Sequence, residues 1–278
     1  MGIAFALAAS ACWGSADFFG GLKSKRYSAL AVLFTIEVSG LLVGAVALAV
    51  AGDAFPSTRA VLCALGAGTA GIVALAAFYR ALAIGTMSIV APISATGVAL
   101  PVVVGIATGD RPSAIVVAGL IVTTVGVILA SREIHEDAEK ASAGRTSIVL
   151  ALLAAVGFGT YFIGADVAAD ESVLWTVVLG RAIAVPVVGL LVVGRGVGLP
   201  RGNDLLVLCA AGTVDLVATA LYGVANTHGD LSIVSVVGSL YPIATVILAR
   251  AVLDERVRTV QAAGVVAALT GVALIAVG

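Results

Sequence analysis

The sequence predicts an all-α integral membrane protein with ten transmembrane helices, arranged as two inverted five-helix repeats. The first observation is composition: 61% of the 278 residues are hydrophobic and 11% are charged, with a mean hydropathy of +1.17. This leaves too little polar surface for a soluble monomer. The second observation is a series of long apolar windows, and the third is an internal duplication of the whole chain.

Ten apolar windows follow one another, each close to the roughly 20 residues that a helix needs to cross a membrane. They are apolar on every face, which favours helices over the alternating pattern of a transmembrane β-barrel. Lys23, Lys25 and Arg26 follow the first window and no basic residue precedes it, so we expect a retained helix and not a signal peptide. The windows lie at residues 2–22, 28–51, 60–83, 87–108, 113–131, 147–168, 173–195, 204–226, 232–252 and 259–277.

The duplication appears when the chain is aligned with itself at an offset of 144 or 145 residues. Residues 13–15 (WGS) then align with 158–160 (FGT), and residues 88–90 (SIV) align with 232–234 (SIV). The offset is nearly constant across five consecutive segments, which chance matches between apolar sequences rarely produce. The chain is therefore predicted to contain two structural repeats.

Charge predicts how the repeats sit in the membrane. The first is predicted at residues 1–131 and the second at 147–278, with a linker loop at 132–146. Five helices is an odd number, so the second repeat enters the membrane from the opposite side. Ten basic residues follow helices 1, 5, 7 and 9, whereas the other side has only Arg59 and Arg111. The basic side is predicted to be cytoplasmic, which puts the linker inside and both termini outside.

Ionisable residues inside apolar windows are costly and therefore mark candidate functional positions. Glu37 and Arg181 lie near the middle of helices 2 and 7 and are equivalent at the 144-residue offset. They are predicted to pair across the pseudo-symmetry axis as a gate or coupling element, to form a structural ion pair, or each to bind a charged group on a substrate. Asp17 is a candidate cavity residue and proton carrier, or else it pairs with Lys23 or caps a neighbouring helix near the interface. Asp215 in helix 8 is predicted to line a cavity.

Prolines and aromatic residues indicate the walls of such a cavity. Pro92 and Pro101 in helix 4 and Pro242 in helix 9 are predicted to kink equivalent helices, freeing carbonyls that need a polar partner or water. The kinks could also serve packing alone. Aromatic residues fill helix interfaces as well as binding sites. The candidate cavity residues on these helices and their neighbours are Trp13, Ser94, Thr96, Tyr161, Tyr222, Ser239 and Tyr241.

Four segments together resemble the EamA branch of the drug/metabolite transporter superfamily over essentially the whole chain. They are WGSADFFGG from Trp13, FYRALAIGTMSIVAPISA from Phe78, GDRPS from Gly109 and LSIVSVVGSLYPIATVILARAVLDERV from Leu231. The resemblance implies a cavity lined by helices 1, 3, 4, 6, 8 and 9, with helices 5 and 10 at the periphery. It also implies alternating access. Many members are described with cytoplasmic termini, in conflict with the charge count.

The predicted function is secondary-active or facilitative transport of a small polar or amphipathic metabolite, amino-acid-like or other, in the cytoplasmic membrane and with export preferred. Uptake, multidrug-type efflux and a non-transporting membrane receptor are the alternatives. No catalytic motif is present, so an enzyme is not expected. The expected partners are the bilayer, the substrate and, where transport is coupled, protons acting through Asp17, Glu37 or Asp215. No cofactor, metal or nucleic acid is expected, and a monomer suffices because both repeats lie in one chain.

Overall fold

The computed structural model describes residues 2–100, 113–130, 138–228, 237–238, 240–255 and 259–277. In this part of the chain the backbone forms ten α-helices, numbered here in chain order. They are α1 (Gly2–Ser24), α2 (Ala29–Ala51), α3 (Thr58–Ile84), α4 (Met87–Ala95), α5 (Ala114–Ala130), α6 (Ala138–Ala169), α7 (Val173–Gly194), α8 (Asn203–His228), α9 (Tyr241–Leu253) and α10 (Thr259–Val277).

Six of these helices, α1 to α3 and α6 to α8, are long and apolar enough to cross a membrane. Shorter apolar stretches occupy α5, α9 and α10. The all-helical fold of a multi-pass membrane protein is thus confirmed, while the number of ten transmembrane helices stays a prediction. Serine side chains begin several helices: Ser28, Ser57 and Ser172 each accept a hydrogen bond from a backbone N–H of the first turn.

The main contacts between two helices have counterparts between the equivalent helices of the other repeat. Helix α1 packs on α8 and α9, and its equivalent α6 packs on α3 and α4. Helix α2 packs on α7 and α8, and its equivalent α7 packs on α2 and α3. The pairs α4 with α9 and α5 with α10 each join two equivalent helices. The fold therefore has the two-fold pseudo-symmetry that the duplication predicts.

Glycines make the closest of these contacts possible, and they also obey the pseudo-symmetry. At Gly68 in α3, a Cβ atom would lie 2.8 Å from the Gly180 carbonyl oxygen of α7. At the equivalent Gly212 in α8, a Cβ atom would lie 3.0 Å from the Ile36 carbonyl carbon of α2. Only glycine allows backbones to approach this closely. The two crossings hold α2, α3, α7 and α8 together at the centre of the molecule.

Two predicted boundaries require correction. The linker is not a loop throughout, because α6 already begins at Ala138 and continues without a break into the apolar segment. Within the helix predicted at 232–252, residues 237–238 are helical, Leu240 is a turn residue and α9 begins at Tyr241, so Pro242 lies in the first turn of α9. Proline is well tolerated there because its missing N–H would have had no intrahelical partner.

Helix 4 is interrupted, as predicted for a helix that contains Pro92. Pro92 lies inside α4, and the α-helix ends three residues later at Ala95. A 3-10 turn over Thr96–Val98 follows, and residues 99–100 are helical again. The interruption predicted for this helix is therefore present, and it begins at Thr96, one turn after Pro92. Pro101 lies outside the described residues.

Candidate functional site

A buried ion cluster lies where the helices of the two halves cross. The Arg181 Nη1 donates to Glu37 Oε2 at 3.3 Å, and its Nη2 donates to Asp215 Oδ2. Helices α7, α2 and α8 thus supply one residue each. The Arg181 and Glu37 side chains are 8% and 6% exposed, and the Asp215 side chain is 15% exposed. One guanidinium is therefore shared between a carboxylate of the first half and one of the second.

The space for this guanidinium is made by Gly40, one turn after Glu37 in α2. A Cβ atom at position 40 would lie 2.6 Å from Arg181 Cζ and 3.0 Å from its Nε. The Nε is buried, and among the described residues it has no hydrogen-bond acceptor. The cluster thus requires a glycine at position 40, and it leaves the Nε–H donor of Arg181 without an acceptor among the described residues.

Asp17 lies in the same central region, on α1, and is 7% exposed. Within the described part of the chain, no ion pair or hydrogen bond reaches its carboxylate. Lys23, its predicted alternative partner, instead binds Asp204 with an Nζ–Oδ1 distance of 2.6 Å. The charge of Asp215 acts on Asp17, and the charge of Asp17 acts in turn on the Tyr79 and Tyr241 hydroxyls. Asp17 is therefore a buried carboxylate that is influenced by the carboxylate of Asp215. None of the described groups that act on it is basic.

Three predicted aromatic residues, Trp13, Tyr161 and Tyr222, lie in one group of rings together with Phe162. Trp13 and Tyr222 have ring centroids 5.3 Å apart, and Phe162 lies 6.2 Å from Tyr222. Tyr161 and Phe162 pack edge to face at 5.6 Å. The four rings are half-buried, so they are not sealed inside the hydrophobic core. Trp13, Tyr161 and Tyr222 are thus brought into one group by α1, α6 and α8.

The predicted cavity residues of helices 4 and 9 mainly contact the protein backbone. The buried Ser94 hydroxyl donates to the carbonyls of Val90 and Ala151, and the Thr96 hydroxyl donates to the carbonyl of Ile93. These hydroxyls are already engaged with backbone. The Tyr241 backbone carbonyl packs against Gly14 of α1, and the nearby Thr245 hydroxyl donates to the Gly14 carbonyl. Ser239 lies outside the described residues.

Two polar clusters close the ends of the bundle. On the basic side, Asp204 Oδ2 accepts from Arg26 Nη1 at 3.0 Å and from the Tyr27 hydroxyl at 2.8 Å. The hydrogen bond to Asp204 raises the pKa of Tyr27, and burial adds to this effect. These contacts tie the loop between α1 and α2 to the beginning of α8.

The second cluster is equivalent to the first but carries the opposite charge. Glu171, equivalent to Arg26 at the 145-residue offset, accepts from the Ser57 backbone N–H at 2.7 Å and from the Ser57 hydroxyl at 2.5 Å. These bonds lower the pKa of Glu171, with a smaller contribution from the positive charge of Arg59. The loop between α6 and α7 is thereby tied to the beginning of α3.

Sequence reasoning did not single out several residues that support the site. Tyr79 is fully buried against Gly20, one turn from Asp17. Its position in an apolar stretch of sequence did not indicate this contact. Glu255, just after α9, accepts from the backbone N–H groups of Met87 and Ser88 and caps α4. Pro186 lies inside α7, and only its presence in an apolar window could have marked it. Across the described residues, no three His, Cys, Asp or Glu side chains are close enough to bind a metal ion.

Comparisons with known proteins agree with this architecture. The model of the EamA-like transporter family matches residues 1–132 and again residues 145–277. One crystal structure of another protein superposes with a TM-score of 0.65, at 16% sequence identity, covering 97% of this chain and 98% of that one. That likeness shows the fold alone. No curated protein matches the sequence. With two matches that together cover nearly all of its length, the chain belongs to the EamA-like transporter family.

Proposed function

We propose that this protein is a secondary transporter that exports a small polar or amphipathic metabolite by alternating access. One observation carries the proposal: Asp17, Glu37, Arg181 and Asp215 are buried together where helices of both halves meet. Ionisable groups at membrane depth are expensive unless they serve a pathway, a relay or a substrate. Their position at the repeat interface is where transporters with internal repeats bind their substrates.

The inverted arrangement of the repeats is part of the proposal. Arg26 and Glu171 occupy equivalent loops, yet the first belongs to a basic cluster and the second to an acidic one. Opposite charge at equivalent positions is expected when equivalent ends face opposite sides of the membrane. We place the basic end, with Lys23 and Arg26, on the cytoplasmic side of the cytoplasmic membrane. A single chain then provides both halves.

The shared guanidinium suggests how the halves exchange states. Arg181 holds Glu37 of the first half and Asp215 of the second. When one half rocks against the other, the bond to one carboxylate can lengthen while the bond to the other persists, so the cluster acts as a gate with two alternative pairings. The half-buried rings beside it, Trp13 and Tyr222, form the wall that the substrate contacts.

Solute exchange across proteoliposomes tests the proposal. Purified protein is reconstituted, the vesicles are loaded with a defined mixture of amino acids, amines, sugars and nucleosides, and the retained solutes are measured by mass spectrometry. We expect saturable, counterflow-stimulated loss of one solute class, abolished in Arg181→Gln and retained in Arg195→Gln, which removes an exposed arginine at the end of the same helix. Binding of a solute without flux would favour a receptor. The family likeness supports export and uptake equally. Loading the solute on only one side of the vesicle membrane therefore also measures the direction of transport.

A further inference from the structure

The buried cluster contains more negative than positive groups. Asp17, Glu37 and Asp215 are carboxylates, and Arg181 is the one cation placed among them by the described residues. Arg181 is already shared by Glu37 and Asp215. The site as a whole therefore has an excess of acidic groups, and Asp17 contributes a carboxylate that this guanidinium does not bind. A buried carboxylate of this kind is stabilised by a cation or by a proton.

The surroundings of Asp17 indicate which cation. Trp13 lies four residues earlier on α1, so both side chains project from the same helix face. The Trp13 ring packs at 5.3 Å from the Tyr222 ring, and Tyr241 of α9 lies within the electrostatic influence of Asp17. Aromatic faces attract organic cations through their quadrupole. They are poor ligands for hard metal ions, which require several oxygen atoms.

We infer that the site bounded by Asp17, Trp13 and Tyr222 binds the ammonium group of an amine substrate. The carboxylate supplies the charge and the two rings supply the apolar, polarisable walls. This inference rests on the proposed function and narrows its substrate to solutes that carry a cationic nitrogen. Anionic solutes are disfavoured because the negative charge of Asp215 on α8 also acts at the position of Asp17.

The chain provides its own reporter for this inference, because it contains only two tryptophans. Trp175 is remote from the site, at the beginning of α7, where its Nε1 donates to the Asp53 carbonyl. In a Trp175→Phe background the indole fluorescence therefore comes from Trp13 alone. The probes are benzyltrimethylammonium, a permanent cation, and benzenesulfonate, an anion of similar size.

We expect benzyltrimethylammonium to change the Trp13 fluorescence saturably and benzenesulfonate to leave it unchanged. Asp17→Asn should raise the dissociation constant at least about tenfold, since removing one partner of a desolvated charge pair is costly. Asp170→Asn, which removes the same charge from an exposed loop, should leave it unaltered. Equal affinity in Asp17→Asn, saturable binding of the sulfonate instead, or no saturation with either probe would overturn the inference.

A second measurement covers the case in which Asp17→Asn does not fold. Dicyclohexylcarbodiimide, an apolar reagent for buried carboxyl groups, is applied to the unmodified chain, and modification of Asp17 is quantified by peptide mass spectrometry. Benzyltrimethylammonium should protect Asp17, and benzenesulfonate should not. Modification that is the same with and without the cation would overturn the inference.

The two proposals fail in different ways. If proteoliposomes exchange a neutral or anionic solute while the cation does not bind near Trp13, transport stands and the amine inference falls. If the cation binds near Trp13 and no solute of the panel crosses the membrane, transport falls and the binding site stands.

Discussion

Arg181 of α7 and Glu37 of α2 are 144 residues apart, occupy equivalent positions of the two repeats, and form a buried ion pair with an Nη1–Oε2 distance of 3.3 Å. The two helices that carry them are themselves equivalent and pack directly on each other. A pair of equivalent residues can meet only close to the pseudo-symmetry axis. The contact therefore marks the centre of the fold, and Asp215 joins it from the second half.

Arg181→Gln should destabilise the protein strongly. It leaves Glu37 and Asp215 buried without their cation, and breaking a buried ion pair in this way costs about 3–5 kcal/mol. Reversible unfolding in mixed detergent micelles measures the change. Arg195→Gln, at an exposed position at the end of the same helix, should change the free energy of unfolding by less than about 0.5 kcal/mol. Similar losses in the two variants would contradict the assignment of Arg181 to a buried cluster.

Gly40→Ala should disturb the same cluster through shape alone. The new methyl group would lie 2.6 Å from Arg181 Cζ, so the guanidinium has to move, at a cost of about 1–3 kcal/mol. Transport activity should fall as well, because Arg181 can no longer reach both carboxylates. Gly66→Ala is the matched control, since a Cβ atom there meets nothing within 4 Å. It should be neutral or stabilise α3 by up to about 1 kcal/mol.

Glu255→Ala should loosen the beginning of α4. Its carboxylate accepts hydrogen bonds from Met87 N, Ser88 N and Ser88 Oγ at 3.0–3.1 Å, and loss of a helix cap costs about 1–2 kcal/mol. Lys25 lies 3.7 Å from the same carboxylate and its side chain is 36% exposed. Lys25→Ala should therefore cost less than about 1 kcal/mol. Thermal unfolding of the two variants side by side distinguishes capping from simple charge pairing.

Acidification should weaken the attachment of α3 to the loop before α7. The pKa of Glu171 is lowered in the folded protein by its bonds from Ser57. A lowered pKa means that the stabilisation is complete above the unfolded value of about 4.3 and is lost as the pH falls through the folded value. The difference in melting temperature between the parent and Glu171→Gln should thus be constant near neutral pH and shrink in acid. A difference that grows on acidification would refute this role.

Most of what the sequence could predict about the site came from its internal duplication. It predicted that Glu37 and Arg181 are equivalent, and their opposite charges made a contact between them one of the arrangements that it left open; the structure shows that contact. Asp215 could be foreseen as facing the interior, but not as the second partner of Arg181. That pairing depends on the crossing of α2 with α8, which is set by Gly212 and the backbone at Ile36.

Other features depend on contacts that no local pattern encodes. Glu255 follows α9 yet caps α4, 168 residues earlier in the chain. Gly40 is one of 33 glycines, and its role appears only when the guanidinium beside it is seen. The position of Pro242 in a first turn also depends on where α9 begins, which composition did not reveal because the window is apolar throughout.

The Glu37–Arg181 pair has a consequence for how such a chain can arise. In a dimer of two identical five-helix proteins, position 37 of one copy would meet position 37 of the other, bringing together two carboxylates or two guanidiniums in a medium that tolerates neither. The pair becomes possible only after the two copies are encoded separately and can diverge. Once it exists, neither half can replace the other, and fusion into a single polypeptide keeps the complementary halves together.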